Sequence, residues 1–476
     1  MTSRWFSGLL IGMFFAAMPA LGQDASKVVG DWAGALDVGA VKLRLVVHIT
    51  RGDDGALRAT MDSIDQSAMG IPIDIVTFDG KALRLELTSL RAGFDGTLDE
   101  SSNRLTGSWK QSGVTLPLQL DRAEDASSLI PKRPQEPKPP FPYDSRDVSF
   151  ANGDVTLAGT LTLPRSPGPH AAAVLISGSG AQNRDEAVTG HKPFLVLADH
   201  LTREGIAVLR FDDRGVGEST GSFETATTAD FASDAEAGVT FLKSLPEIDA
   251  THIGLIGHSE GGIVAPMVAA RSSDVTFVVL LAGVGVPIDD LLRVQSRLLL
   301  EANGASPEYI AWNERLRTRM FTIAKAESDS VAREEKLRAA IQTAVAQLPP
   351  GATLTDEEKA GLEGGVGFVS SPWMRFLLAY EPASTLRRVR QPVLALNGEL
   401  DLQVAPSQNL PVIQKALAEG GNRDVTAAEL PKLNHLFQTA VTGSPNEYGA
   451  IEETMSPIAL RAISDWIVAR TQRAKK

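Results

Sequence analysis

At 476 residues, with 43% hydrophobic and 22% charged side chains, the chain is long enough for more than one domain and for a sizeable core. Its formal net charge of −12 offers no basic footprint for DNA or RNA and argues against electrostatic docking on anionic lipid. With no cysteine, disulfides, a thiol nucleophile and thiolate metal sites are excluded, and stability must come from the cores.

In chain order, the N-terminus reads first as a targeting segment. Arg4 supplies a positive n-region, residues 9–17 an apolar h-region, and Ala20-Leu21-Gly22 a small-residue cleavage pattern. A signal peptide over 1–22, cleaved before Gln23, is therefore expected, and with it an exported protein, periplasmic or secreted. The apolar run is short for a membrane span and no later segment supplies an uninterrupted one, so no stable membrane insertion is expected after cleavage.

Residues 23–125 carry a period of two. Val41, Leu43, Leu45 and Val47 alternate with Lys42, Arg44, Val46 and His48; Leu83, Leu85 and Leu87 with Arg84 and Glu86; and Val114, Leu116, Leu118 and Leu120 repeat the pattern. Punctuated by Asp54-Gly55, Asp79-Gly80 and Asp95-Gly96, this predicts a small antiparallel β domain, barrel-like in outline. The proline-rich stretch within 126–145, from Pro131 to Pro142, favours extended geometry and reads as a semi-rigid linker.

From residue 146 the pattern changes to apolar runs, each followed by a small-residue turn. The run 171–176 leads into Ser177-Gly178-Ser179-Gly180, and 206–210 leads into Asp212-Asp213-Arg214-Gly215-Val216-Gly217-Glu218-Ser219. The run 253–256 leads into Gly257-His258-Ser259-Glu260-Gly261-Gly262 and then a helix-compatible stretch to residue 270. Strand, GxSxG and helix together describe a sharp turn that exposes the serine hydroxyl, with flanking glycines letting the backbones crowd. Ser259 is therefore the candidate nucleophile; the plainer alternative is a serine that only caps a helix.

In such an arrangement the partners follow in the order serine, acid, histidine. Of the seven histidines only His435 lies beyond the turn, in a loop after the predicted strand 425–430. The acid should end the preceding strand, and 392–397 runs into Gly398-Glu399-Leu400-Asp401; Asp401 is the first choice and Glu399 the fallback. An oxyanion forming at the attacked carbonyl needs two backbone donors. The Glu260 N–H is one candidate, and Ser179 N–H, with Gly180 next, the other. The glycine-rich turn at 177–180 lacks the GxxxxGK[ST] pattern of a phosphate cradle, and no HExxH or clustered His/Asp pattern points to a metal, so neither cofactor nor metal is expected.

Taken together, Ser177-Gly178-Ser179-Gly180, the segment 211–219, the GHSEGG turn, Gly398 to Asp401 and Asn434-His435-Leu436-Phe437-Gln438 resemble the α/β-hydrolases, in the branch of serine aminopeptidase-like hydrolases and related exported bacterial carboxylesterases. The resemblance implies an α/β-hydrolase fold over 146–476, a mostly parallel sheet flanked by helices. It also implies a helical cap at about 286–385, where the chain runs far longer than an ordinary connection. Many relatives carry His-Gly where Ser177-Gly178 stands here. Trp373, Met374, Phe376 and Leu377 are candidates to line the pocket under the cap, or to be plain core at helical spacing. The resemblance also gives Arg214 a bracing rather than catalytic role, while Arg184, Asp185 and Glu186 read as a solvated loop or substrate contacts, and His258 as a locally bonded residue.

The expected chemistry is hydrolysis of short- to medium-chain carboxylic esters through an acyl-enzyme, with a small-molecule ester as partner and no nucleic acid. The alternatives are an exported serine aminopeptidase, which would need an acidic pocket for the substrate amine, a lysophospholipase-like lipase, and a non-catalytic binding protein.

Overall fold

A computed structural model describes residues 25–37, 42–66, 68–111 and 114–471, so the signal-peptide reading of 1–22 falls outside the described residues. The chain forms two compact units, one of residues up to Ser63 with Ala68–Ser127, the other of Ile64–Ser67 with Ser128–Lys476.

The first unit is a nine-stranded antiparallel sheet. Its strands are β1 (Gly30–Asp37), β2 (Lys42–Arg51), β3 (Leu57–Ser63), β4 (Ala68–Ile73), β5 (Ile75–Phe78), β6 (Ala82–Leu87), β7 (Ala92–Asp99), β8 (Arg104–Gln111) and β9 (Val114–Ala123). Their order, β4-β3-β2-β1-β9-β8-β7-β6-β5, is a meander closed on itself through β1 and β9, so that the only neighbours in sequence left unpaired among the described strands are β4 and β5. Alternation puts Leu83, Leu85 and Leu87 of β6 on the core face beside Trp32, Phe94, Leu105 and Leu120. In β2 the alternation is broken, because Val46 is buried along with Leu45 and Val47. On the same strand His48 bonds Asp31 through Nδ1 at 2.8 Å and Asp62 through Nε2 at 2.9 Å, tying β1, β2 and β3 together.

The second unit is built on an eight-stranded sheet: β10 (Asp144–Asn152), β11 (Val155–Leu163), β12 (His170–Ile176), β13 (Ala207–Phe211), β14 (Ile248–His258), β15 (Phe277–Leu281), β16 (Val393–Gly398) and β17 (Val425–Leu430). The order is β10-β11-β13-β12-β14-β15-β16-β17; β10 and β11 run antiparallel to their neighbours and the rest are parallel. Parallel strands covered on both faces read as continuous apolar runs, and β13, β15 and β16 are buried at every position. Helices α1 (Pro193–Arg203), α2 (Thr228–Lys243), α3 (Gly261–Ala269), α10 (Pro406–Glu419) and α11 (Pro457–Thr471) cover the sheet. Six more helices separate β15 from β16: α4 (Ile288–Ala302), α5 (Pro307–Ala326), α6 (Ser330–Val345), α7 (Asp356–Ser370), α8 (Pro372–Ala379) and α9 (Pro382–Leu386). This is the helical insertion that the length of the connection predicts. None of the helices among the described residues is long and apolar enough to cross a membrane.

The proline-rich stretch does not hang free as a spacer. The Arg133 guanidinium donates to the carbonyls of Gly449, Ile451 and Gly190, and Gln135 bonds both Met455 and Thr454, which docks the segment on the second unit. Extended proline-rich backbone has few internal hydrogen bonds, so its polar side chains supply the anchorage.

Candidate active site

The strand β14 ends in a tight turn that requires glycine on either side of it. Ser259 has φ of +52°, a left-handed conformation that costs a non-glycine residue about 1–3 kcal/mol. Its surroundings hold it there. Ser259 N–H donates to the Leu281 carbonyl at 2.8 Å, and Gly262 N–H returns to the Ser259 carbonyl at 2.9 Å. A Cβ on Gly257 would come within 2.0 Å of the Gly261 carbonyl oxygen, and one on Gly261 within 2.2 Å of the Ile176 carbonyl oxygen. The glycines of the motif thus let β14, α3 and the end of β12 meet at the serine.

His435 follows β17 in a tight loop stitched by Asn434, whose side-chain oxygen accepts from Leu436 N–H and Gln438 N–H at 3.0 and 2.9 Å. Its Nδ1 lies 2.9 Å from Asp401 Oδ2, and both side chains are buried. The other Asp401 oxygen accepts from the N–H groups of Gln403 and Val404, each at 2.8 Å. A carboxylate so placed fixes the tautomer with the proton on Nδ1 and leaves Nε2 as the basic nitrogen. Glu399, the fallback acid, instead accepts from Lys432 N–H at 2.8 Å and does not meet His435. Ser259 and His435 line one cavity, and no hydrogen bond joins them among the described residues; such contacts commonly close only on the bound substrate.

The turn after β12 forms the facing wall. Gly178 packs so closely that a Cβ there would lie 3.2 Å from Ser259 Cβ. Its N–H is already committed to Glu186 Oε1 at 2.7 Å, whereas Ser179 and Gly180, next in sequence, line the cavity. Ser177 donates its hydroxyl to Asp213 Oδ1 at 3.0 Å, and Gln182 N–H binds the other Asp213 oxygen at 3.0 Å. Burial pushes the Asp213 carboxyl up to about 7.

The sequence profile described as the alpha/beta hydrolase family matches residues 173–446, more than half of the chain and all of this machinery. The chain belongs to that family. Esterase EstD of Thermotoga maritima is 24% identical to this hydrolase over 363 residues, 75% of this chain and 78% of that one. Uncharacterized protein PA2218 of Pseudomonas aeruginosa is 28% identical over 160 residues, 33% of this chain and 39% of that one. Among solved structures, the Pyrococcus furiosus esterase Pf2001 aligns over 70% of this chain and 92% of its own with a TM-score of 0.43 and 16% identity.

In this hydrolase the cavity above Ser259 measures about 700 Å³. Its upper part is apolar, with Leu291 and Leu292 of α4, Phe368 of α7, and Trp373, Met374 and Leu377 of α8. Of the four candidates only Phe376 does not line it; it stacks on Tyr380 with ring centroids 5.8 Å apart. Trp373 also donates its Nε1–H to Glu260 Oε1 at 2.7 Å, and Thr228 of α2 donates to the same oxygen at 2.7 Å. The Glu260 side chain therefore joins the insertion to the Ser259 turn. Burial raises its carboxyl above the ordinary range, against the lowering pull of Trp373, Thr228 and the neighbouring Ser179 side chain. Tyr448 and Gln403, bonded to each other at 3.1 Å, complete the polar wall beside His435.

Several residues change character from the sequence reading. Glu186 is not in a solvated loop but 3% exposed, bonded to Gly178 and to His258 Nδ1 at 2.8 Å. Arg184 donates to Asp212 and Glu218, and Asp185 pairs with Arg210, so neither is a free substrate contact. Arg214 grips both oxygens of Asp234 on α2 at 2.7 Å, as a brace should. His191 is buried against the Tyr448 carbonyl and Thr454, and burial together with nearby Arg133 takes it down to about 4, so it stays neutral. Among the described residues no cluster of three or more His, Asp or Glu side chains is placed to hold a metal ion.

Proposed function

We propose that this hydrolase cleaves carboxylic esters of short- to medium-chain acids through an acyl-enzyme on Ser259. His435 takes the serine proton at Nε2 and returns it to the leaving alcohol, while Asp401 holds the imidazole and stabilises its charged form. Both tetrahedral intermediates place their oxyanion between the N–H groups of Ser179 and Glu260, the two cavity-lining donors next to the nucleophile. The observation that carries the reading is the buried His435–Asp401 pair opening onto the same cavity as a strained Ser259.

The esterase name of the Thermotoga relative favours the ester class, and so does the apolar ceiling of the cavity, whose volume falls in the usual range of about 300–1,000 Å³ for small-molecule sites. The aminopeptidase alternative needs an anion to receive a substrate ammonium group. Glu186 lines the cavity but its Oε1 is committed to Gly178 and His258, and Glu260 is held toward its neutral form while bonded to Thr228 and Trp373. The segment 1–22 alone motivates placing the activity outside the cytoplasm.

A panel of p-nitrophenyl esters of increasing acyl length, run beside aminoacyl p-nitroanilides with the protein and its Ser259→Ala variant, tests the reading. Serine-dependent ester cleavage, falling off at long chains, with anilides left intact is the expected result. Anilide cleavage of comparable efficiency would transfer the site to peptide substrates, and rates rising without limit toward long chains would transfer it to lipids.

A further inference from the structure

A second buried histidine–carboxylate pair stands beside the first. His258, the residue before the nucleophile, is 6% exposed, and its ring centroid lies 4.7 Å from that of His435. Its Nδ1 is 2.8 Å from Glu186 Oε1 and its Nε2 is 3.0 Å from the backbone carbonyl oxygen of His435. A carbonyl oxygen only accepts, so Nε2 must carry a proton. Glu186 Oε1 also accepts from Gly178 N–H at 2.7 Å, and with Glu186 ionised it accepts from a protonated Nδ1 as well. Both ring nitrogens then donate, and the pair is an imidazolium with a carboxylate.

The bonds of this pair reach three separate elements. Glu186 holds Gly178, in the turn that precedes the Ser179 N–H; His258 is the last residue of β14 and leads directly into Ser259; and the carbonyl it holds belongs to His435. Glu186 itself sits at φ of +51°, a strained conformation kept by its N–H bond to the Asn183 carbonyl and by the contacts of its carboxylate. A buried ion pair adds little net stability over an apolar replacement, so its use is better sought in fixing geometry.

We propose that Glu186 and doubly protonated His258 are positioning residues that hold the oxyanion turn, the nucleophile turn and the catalytic-histidine loop in register. The proposal rests on the reading of Ser259 and His435 as the reacting pair. The groups facing His258 are Glu186 and the His435 ring, with Asp401 behind His435 acting through its charge, and the two carboxylates favour the protonated ring. Misplacement of catalytic groups by about 1 Å can cost on the order of a hundredfold in rate, which sets the scale for losing the pair.

The test uses the full-length protein, Glu186→Gln, Glu186→Asp and His258→Gln, each checked for a folded thermal transition. Expected are a fall in kcat of about ten- to a hundredfold in Glu186→Gln and His258→Gln with KM within about twofold, and partial recovery in Glu186→Asp. Independently of any variant, long-range ¹H–¹⁵N spectra of the ring nitrogens near neutral pH should show both nitrogens of wild-type His258 protonated. An unprotonated nitrogen there, or variants whose kcat matches wild type, overturns the proposal. Failure of wild-type Ser259 to react with a fluorophosphonate overturns the reading beneath it, and the two failures are told apart by that labelling.

Discussion

Two histidine–carboxylate pairs lie side by side in this molecule, and they differ in one respect that decides what each can do. In both, a buried carboxylate oxygen meets Nδ1 of a buried imidazole, at 2.9 Å for Asp401–His435 and 2.8 Å for Glu186–His258. In the second pair the other nitrogen is consumed by the His435 carbonyl; in the first, Nε2 has no protein partner among the described residues and the residue lines the cavity with Ser259. Neither burial nor an acidic neighbour makes a histidine a base. What sets His435 apart is an uncommitted second nitrogen on a residue that shares its cavity with Ser259.

The widest separation of the two pairs should come from parallel glutamine substitutions. His435→Gln is expected to lower kcat for an ester substrate by roughly 10⁶-fold and Asp401→Asn by about 10⁴-fold, since without Asp401's charge the imidazole loses its tautomer. His258→Gln should cost far less, as set out above, and steady-state kinetics on one p-nitrophenyl ester gives all three values. Equal losses at His435 and His258 would erase the distinction.

A smaller effect is expected at the contact between insertion and nucleophile turn. Trp373→Phe removes the donor to Glu260 Oε1 while keeping an aromatic ring in the cavity wall. A single hydrogen bond is worth about 0.5–1.5 kcal/mol net, so KM should rise roughly two- to tenfold, most for the acyl lengths that reach α8. An unchanged KM across the ester series would detach Trp373 from substrate binding.

The smallest effect is one of stability with pH. Asp213 beneath the turn after β12 is pushed up to about 7 by burial, and His258, which burial alone would lower, is raised by Glu186. For both groups the folded value exceeds the unfolded one, so their contribution is fully present below the unfolded value and is lost as pH rises through the folded one. The thermal midpoint should therefore fall by a few degrees between pH 6 and pH 8, an effect that Asp213→Asn should reduce. A midpoint that rises over this interval would reverse the assigned direction.

Much of this arrangement could be read from the chain because its determinants are local. The GxSxG turn needs glycine at fixed offsets, since neighbouring backbones occupy the space where a Cβ would go, and that requirement is written into six consecutive residues. The meeting of Asp401 with His435 was legible from chain order, Asp401 following a run buried at every position while the strand before His435 is mostly half-buried or exposed. The first unit's alternation was also legible, except where Val46 departs from it because both faces of β2 are covered there. Glu186 was not legible. Its partner His258 is 72 positions away, and in sequence Arg184-Asp185-Glu186 has the composition of a solvated turn. Nor was the split between Leu377 and Phe376: adjacent residues on a helix point in directions about 100° apart, and only the placement of α8 decides which one meets the cavity. The anchoring of the proline-rich stretch by Arg133 and Gln135 depends on contacts more than three hundred residues distant, for which composition gives no signal.

The most direct test of the central claim is peptide mass mapping after reaction with a fluorophosphonate, comparing the wild-type protein with His435→Gln. The account predicts one covalent adduct, on the peptide containing Ser259, formed quickly in the wild type and slowed by orders of magnitude without His435. An adduct on another residue, or labelling of Ser259 at the same rate without His435, would contradict it.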